Sequence, residues 1–198
     1  MKIFAFGDVH GNMEHKKNIE KSINKYNPDL LICVGDITIF ESNIEKEVEF
    51  LGSLKKKVLL IPGNHEEDEI LFVMSSLYKN IFYLHRNHFR VSDIIFIGYG
   101  KGGFSVKDSG FEKYAQDAQH LIKDDDKVVL VTHGPPYGTK LDLLAGEHVG
   151  NKSYRKFIDK HNVILGLSGH LHENSGIEDE LGKKILANPG PLGKIFYI

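Results

Sequence analysis

Hydrophobic positions along this chain recur with two periods. Lys2 to Phe6, Leu30 to Val34 and Val58 to Ile61 are short, nearly continuous apolar runs, as expected of strands covered on both faces. Between them apolar residues recur at helical spacing. Asn12 can cap a helix running to about Tyr26, where Asn27-Pro28 ends it. Glu41 to Leu54 brings Ile44, Val48 and Leu51 onto one face, and Glu66 to Tyr78 forms a third helical segment. Strand–helix–strand alternation predicts a largely parallel sheet.

The middle of the chain changes character. Ile81 to Leu84, Phe89 to Val91 and Ile94 to Tyr99 are β-like, with a turn at Ser92-Asp93, and predict antiparallel pairing on the far side of a sheet. A helix over Gly110 to Ile122 and a strand over Lys127 to Thr132 follow. His133 to Gly150 is a long loop rich in Gly and Pro, and ordered loops of that length are commonly functional. Ser153 to Lys160 is helical and Val163 to Leu167 a strand. Ile177 to Asp179 and Lys184 to Ala187 make a hairpin around Glu180-Leu181-Gly182-Lys183, and Lys194 to Ile198 a last strand. No repeat, linker or low-complexity tract divides the 198 residues, so one domain over 1–198 is expected.

Composition narrows the function classes. A hydrophobic fraction of 41%, a charged fraction of 26% and a formal net charge of -2 are those of an ordinary globular chain without a broad basic footprint for nucleic acid. The Lys55-Lys56-Lys57 run reads as a solvated helix end, and Asp124-Asp125-Asp126 as a solvated turn. Cys33 is the one cysteine and sits in an apolar run, which excludes an internal disulfide and a Cys-rich metal site. No segment has the length of a membrane span, and the start lacks a signal-peptide layout, so a cytoplasmic location is expected.

The chemistry lies at the strand ends. Five apolar runs each end in metal-ligand residue types: Asp8 and His10 after Phe6-Gly7; Asp36 after Val34-Gly35; Asn64 and His65 after Pro62-Gly63; His133 after Thr132; His170 and His172 after Ser168-Gly169. In open α/β sheets, sites form beyond the carboxyl ends of the strands, so these groups can converge. A lone Asp after a strand is commonly a helix cap and a lone His commonly a surface residue. Such independent explanations would have to hold at all five ends of a chain with only 11 His. Carboxylate and imidazole together suit Mn, Fe, Co, Ni or Zn.

In these residues the chain resembles the calcineurin-like metallophosphoesterase superfamily. The matching blocks are Gly7-Asp8-Val9-His10-Gly11, Gly35-Asp36, Gly63-Asn64-His65-Glu66, Thr132-His133-Gly134-Pro135-Pro136 and Gly169-His170-Leu171-His172, in that order and over nearly the whole chain. Leu141-Asp142 with His148-Val149-Gly150-Asn151-Lys152 is similar to compact prokaryotic members. The resemblance implies an α/β fold, a four-layer α/β/β/α sandwich of two mixed β-sheets with a metal site at the carboxyl ends of the strands. It implies two divalent metal ions, Mn foremost, with Fe, Zn, Ni and Co as alternatives. Asp8, His10 and His172 would hold the first, Asn64, His133 and His170 the second, and Asp36 would bridge them. Ions roughly 3.5–4 Å apart share an anionic bridge and a hydroxide that attacks phosphate in line. His65 would stand near the leaving group and protonate it as imidazolium, while the Asn64 amide N–H is left for phosphate.

The implied activity is hydrolysis of small phosphate esters, with diesters slightly preferred. After Gly35-Asp36 the chain reads Ile37-Thr38-Ile39-Phe40, where the protein Ser/Thr phosphatase branch carries an Asp-Arg pair, which argues against a phosphoprotein substrate. The alternatives are a non-catalytic scaffold, disfavoured because no ligand position is missing, and a nuclease using the same site, disfavoured by charge. Nothing in the sequence excludes a homo-oligomer. Tyr137 is a candidate to stack on a leaving group, with simple packing the equal alternative. Lys101-Gly102-Gly103 reads as a turn, Lys152, Arg155 and His148 as a solvated helix start, and His15, His85, His88, His120 and His161 as surface or internally satisfied histidines.

Overall fold

The computed structural model describes residues 1–198. The first half holds strands β1 (Lys2–Phe6), β2 (Leu30–Cys33), β3 (Val58–Leu60) and β4 (Ile81–Tyr83), with helices α1 (Met13–Tyr26), α2 (Ile44–Ser53) and α3 (Asp68–Ser76) between them. Strands β5 (Asn87–Val91), β6 (Ile94–Tyr99) and β7 (Lys127–Thr132), with helix α4 (Ser109–Ala118), form the middle. Then come the small hairpin β8 (Leu143–Leu144) and β9 (Glu147–His148), helix α5 (Lys152–Lys160), β10 (Val163–Leu167), β11 (Glu178–Leu181), β12 (Lys184–Ala187) and β13 (Lys194–Tyr197).

Two mixed sheets result. The first has the order β13-β1-β2-β3-β4, parallel except for β13. The second has the order β11-β12-β10-β7-β6-β5, parallel in its middle and antiparallel at both edges. Strand alternation distributes the apolar side chains between layers. Ile3, Ala5, Ile32 and Leu59 face Phe96, Val129, Val131 and Leu165 of the other sheet. Phe4, Phe6, Leu31 and Leu60 point outward onto Ile19, Val48, Leu51 and Leu71 of the first three helices. On the far side Ile95, Ile97, Val128 and Leu130 pack on Phe111, Tyr154, Phe157 and Ile158 of α4 and α5. The order is therefore helix, sheet, sheet, helix. No helix is long and apolar enough to cross a membrane.

Several expected boundaries move, for local reasons. Ile81–Tyr83 pairs in parallel with β3 and closes the first sheet, while only β5 and β6 pair antiparallel as expected. Helix α2 starts at Ile44 because Phe40, Glu41 and Asn43 adopt positive φ. Helix α3 starts at Asp68 because the preceding Glu66 carboxylate is engaged by backbone N–H groups of Asp36 and Thr38 in the loop after β2 and of Gly63 in its own loop. The 133–150 loop contains the β8–β9 hairpin, and Asp142 inside it is fully buried. Asp126 is likewise buried, not solvated, and pairs with Arg90 through both carboxylate oxygens at 2.6 and 2.8 Å.

Candidate metal centre

The ends of β1, β2, β3, β7 and β10 meet where the two sheets face each other. Four of the residues delivered there, Asp8, His10, Asp36 and His170, have φ between 48 and 70°. Asp, Asn and His tolerate this left-handed region better than most non-glycine residues, at some energetic cost. It turns the chain sharply at the strand end and swings each side chain into the cleft. The loops after β1 and β2 are joined by Asp8 N to Gly35 O at 3.0 Å and His10 N to Asp36 O at 3.1 Å. Gly63 must be glycine, because a Cβ there would lie 1.9 Å from Asp36 Oδ1.

The side chains form two groups that could each hold a metal ion, Asp8, His10, Asp36 and His172 in one, Asp36, His133 and His170 in the other. Asp36 belongs to both. Asn64 joins the second group, with its Oδ1 2.9 Å from His133 Nε2 and 2.7 Å from His170 Nδ1. His65 stands beside the first group, its Nε2 3.9 Å from Asp36 Oδ2 and its ring centroid 4.9 Å from that of His10. All eight residues singled out in the sequence are thus neighbours.

Backbone carbonyls set the imidazole tautomers. His10 Nδ1 donates to Thr38 O and His133 Nδ1 to Val34 O, both at 2.8 Å, since a carbonyl can only accept. Each ring then turns a lone pair on Nε2 into the cleft, as a metal ligand requires. His10 Nε2 is 3.1 Å from His172 Nε2, and His133 Nε2 is 3.4 Å from Asp36 Oδ2 as well as close to Asn64 Oδ1. Converging acceptors of this kind repel one another unless a cation lies among them. Asp8 Oδ2 is buried without any hydrogen-bond partner, an unfavourable state for a carboxylate that has no cation. The donor set therefore fits divalent metal ions.

In the absence of a cation the buried groups also shift one another's protonation. Burial pushes the Asp8 carboxyl up, with the Asp36 charge acting in the same direction, against the His133 charge. Asp36 is buried too, yet the hydrogen bond and charge of His133 and the His65 backbone N–H outweigh burial and hold it at about 2. Burial also opposes protonation of His133, but its contact with Asp36 wins and raises its pKa. His170 is pushed down to about 4 by burial and by the His133 charge.

Some contributors carry no motif signal strong enough to find in the sequence. Glu66, 1% exposed, accepts from the backbone N–H of Asp36 (3.0 Å), Gly63 (2.8 Å) and Thr38 (2.9 Å) and from the Thr38 hydroxyl (2.8 Å). Only its place in Gly63-Asn64-His65-Glu66 hinted at a role. His15, expected as a surface or internally satisfied histidine, lines a cleft of about 480 Å³ with Asp8, His10 and His172. Tyr137 lies under the Lys152 ammonium at 4.6 Å and beside His148, whose Nδ1 is held by Asp142 at 2.8 Å. Cys33 is buried and its thiol pKa pushed up by that burial, the packing role expected of it.

A family model described as calcineurin-like phosphoesterase matches residues 1–174. The uncharacterized protein MJ1162 of Methanocaldococcus jannaschii is 32% identical over 208 residues, covering all of this chain and 91% of that protein. Among solved structures, TT1561 of Thermus thermophilus superposes with a TM-score of 0.78 at 15% identity, over 96% of this chain and 89% of that one. A dimetal phosphatase of Danio rerio gives 0.59 at 11% identity, over 94% and 86%. These two likenesses concern the fold. From the family model and the end-to-end relative, the chain belongs to the calcineurin-like phosphoesterase family.

Proposed function

We propose that this chain is a dinuclear metal-dependent phosphoesterase acting on small phosphate esters, phosphodiesters in preference to monoesters. Asp8, His10, Asp36 and His172 would hold one divalent ion, and Asp36, Asn64, His133 and His170 the other, with manganese the first metal to test. The observation that carries this reading is that one buried carboxylate, Asp36, belongs to both ligand groups. Bound there, the ions would lower the pKa of a water between them and offset charge on the phosphate.

The protein's own groups do the rest. Asp36 is kept ionised and fixed by the loops around it, so its carboxylate is already placed. Asn64 turns its Oδ1 toward the histidines, which leaves its amide N–H for a phosphate oxygen. The Phe40 backbone N–H donates to His65 Nδ1 at 3.2 Å, so the ring proton sits on Nε2, the atom facing the site. In this neutral form His65 can hydrogen-bond the leaving oxygen from Nε2; giving it a proton would take the imidazolium expected from the sequence, which releases Nδ1 from Phe40 N. Chelation should abolish hydrolysis of bis(p-nitrophenyl) phosphate and added Mn²⁺ restore it; full activity of metal-free protein overturns the proposal.

A further inference from the structure

Phe40 and Phe104 are large apolar side chains left in solvent at the two ends of the histidine cluster. Phe40 is 77% exposed and its ring lies 4.3 Å from that of His65. Phe104 is 59% exposed and its ring lies 4.6 Å from that of His170. The two phenylalanines flank different ligand groups. His65 contacts His10 of the first group, whereas His170 packs on His133 of the second at 5.2 Å. A phosphate bound across the two ligand groups would therefore have an aromatic wall beyond each end.

Both walls are held by unusual backbone. Phe40 itself has φ 45°, rare for a bulky residue, and Glu41 next to it has φ 62°. Phe104 follows Lys101, Gly102 and Gly103, all at positive φ, and Lys101 N is tied to Pro62 O at 3.0 Å. Exposed aromatics on constrained turns gain nothing from core packing, and such strain gathers at ligand clamps. The two turns are linked through Glu67: Glu41 accepts from Glu67 N at 2.8 Å, and the Lys101 ammonium stands 3.7 Å from the Glu67 carboxylate.

We infer that Phe40 and Phe104 are specificity-determining residues that receive the two organic arms of a phosphodiester, selecting arms with a flat aromatic face. The inference rests on the proposed function. Phe40, against His65, takes the departing arm, and Phe104, against His170, the arm that stays on phosphorus. A diester fills both walls, whereas a monoester leaves one in water.

The test uses Mn²⁺-loaded full-length protein with p-nitrophenyl 2-phenylethyl phosphate and p-nitrophenyl ethyl phosphate, which share a leaving group and differ in the retained arm. The wild type should prefer the phenylethyl ester by about five- to tenfold in kcat/KM, mainly through KM, as one aromatic contact gives. Phe104→Leu should remove that preference. Phe40→Leu should raise KM for both esters and keep the preference. Equal rates for the two esters in the wild type, or a preference that survives Phe104→Leu, overturns the inference. Absence of hydrolysis of every ester overturns the proposed function instead.

Discussion

Glu66 accepts the backbone N–H of Asp36 at 3.0 Å, so a buried carboxylate outside the ligand groups fixes the residue common to both. Its other oxygen contacts extend the same hold to Gly63 and Thr38. Glu66→Ala leaves these buried N–H groups without acceptors, each at about 1–3 kcal/mol. Stability should fall by roughly 3 kcal/mol or more by urea titration, and Mn²⁺ affinity by about 10–100-fold by calorimetry. Unchanged metal affinity in a folded Glu66→Ala protein would contradict this role.

His65 contacts the cluster without belonging to either ligand group. His65→Ala should keep bound metal, read by elemental analysis, while kcat falls by about 10²–10⁴-fold. The loss should be largest for esters with poor leaving groups. Normal turnover of a poor leaving group would remove the proton-donating role.

Because converging acceptors repel one another without a cation, metal should stabilise the fold. At Mn²⁺ near 100 times its Kd the gain is about 2.7 kcal/mol. Thermal unfolding should shift upward with Mn²⁺ in the wild type and much less in Asp36→Asn, which weakens the shared anionic ligand. An identical shift in both would place the ion elsewhere.

His85 is predicted to make the fold acid-sensitive. Its side chain is 3% exposed, its Nδ1 accepts from Gly100 N at 2.7 Å, and its Nε2 lies 3.6 Å from Asp68. Burial, aided by the Arg86 and Lys101 charges and opposed by Asp68 and Asp108, holds its pKa at about 4 against an ordinary 6.5. The unfolded chain therefore binds the proton first, and stability drops as pH falls through that window. The loss is about 2 kcal/mol between roughly pH 7 and pH 5. His85→Asn, whose Oδ1 can still accept from Gly100, should flatten the pH dependence of ΔG from urea titrations. An unchanged slope would assign the effect to other groups.

The order of elements could be read from the sequence because hydrophobic period is local. Asn12 caps α1 with its side chain, accepting from Glu14 N at 2.8 Å, at the position the pattern indicated. Boundaries near the cleft were not readable, because there the local pattern yields to distant bonds. Glu66 fits a helix start by pattern yet its carboxylate serves Asp36 and Thr38 in the loop after β2 and Gly63 in its own loop. Ile81–Tyr83 looks like its antiparallel neighbours, and only the choice of sheet partner separates it from them. No pattern singles out Phe40 or Phe104, whose exposure is a property of the folded surface.

By itself the sequence determined which residue types end the strands and in what order, because strand, glycine turn and ligand lie within a few consecutive residues. That sufficed to name Asp8, His10, Asp36, Asn64, His65, His133, His170 and His172 as one constellation. Their division into two groups sharing Asp36 came only as an implication of the family resemblance, and only the tertiary structure decided which ring nitrogen each imidazole turns inward and what surrounds them. Those outcomes depend on carbonyls and carboxylates brought from far along the chain, Thr38 to His10 and Val34 to His133. Such contacts leave no periodic trace in the sequence, since they form only when the two sheets close on each other.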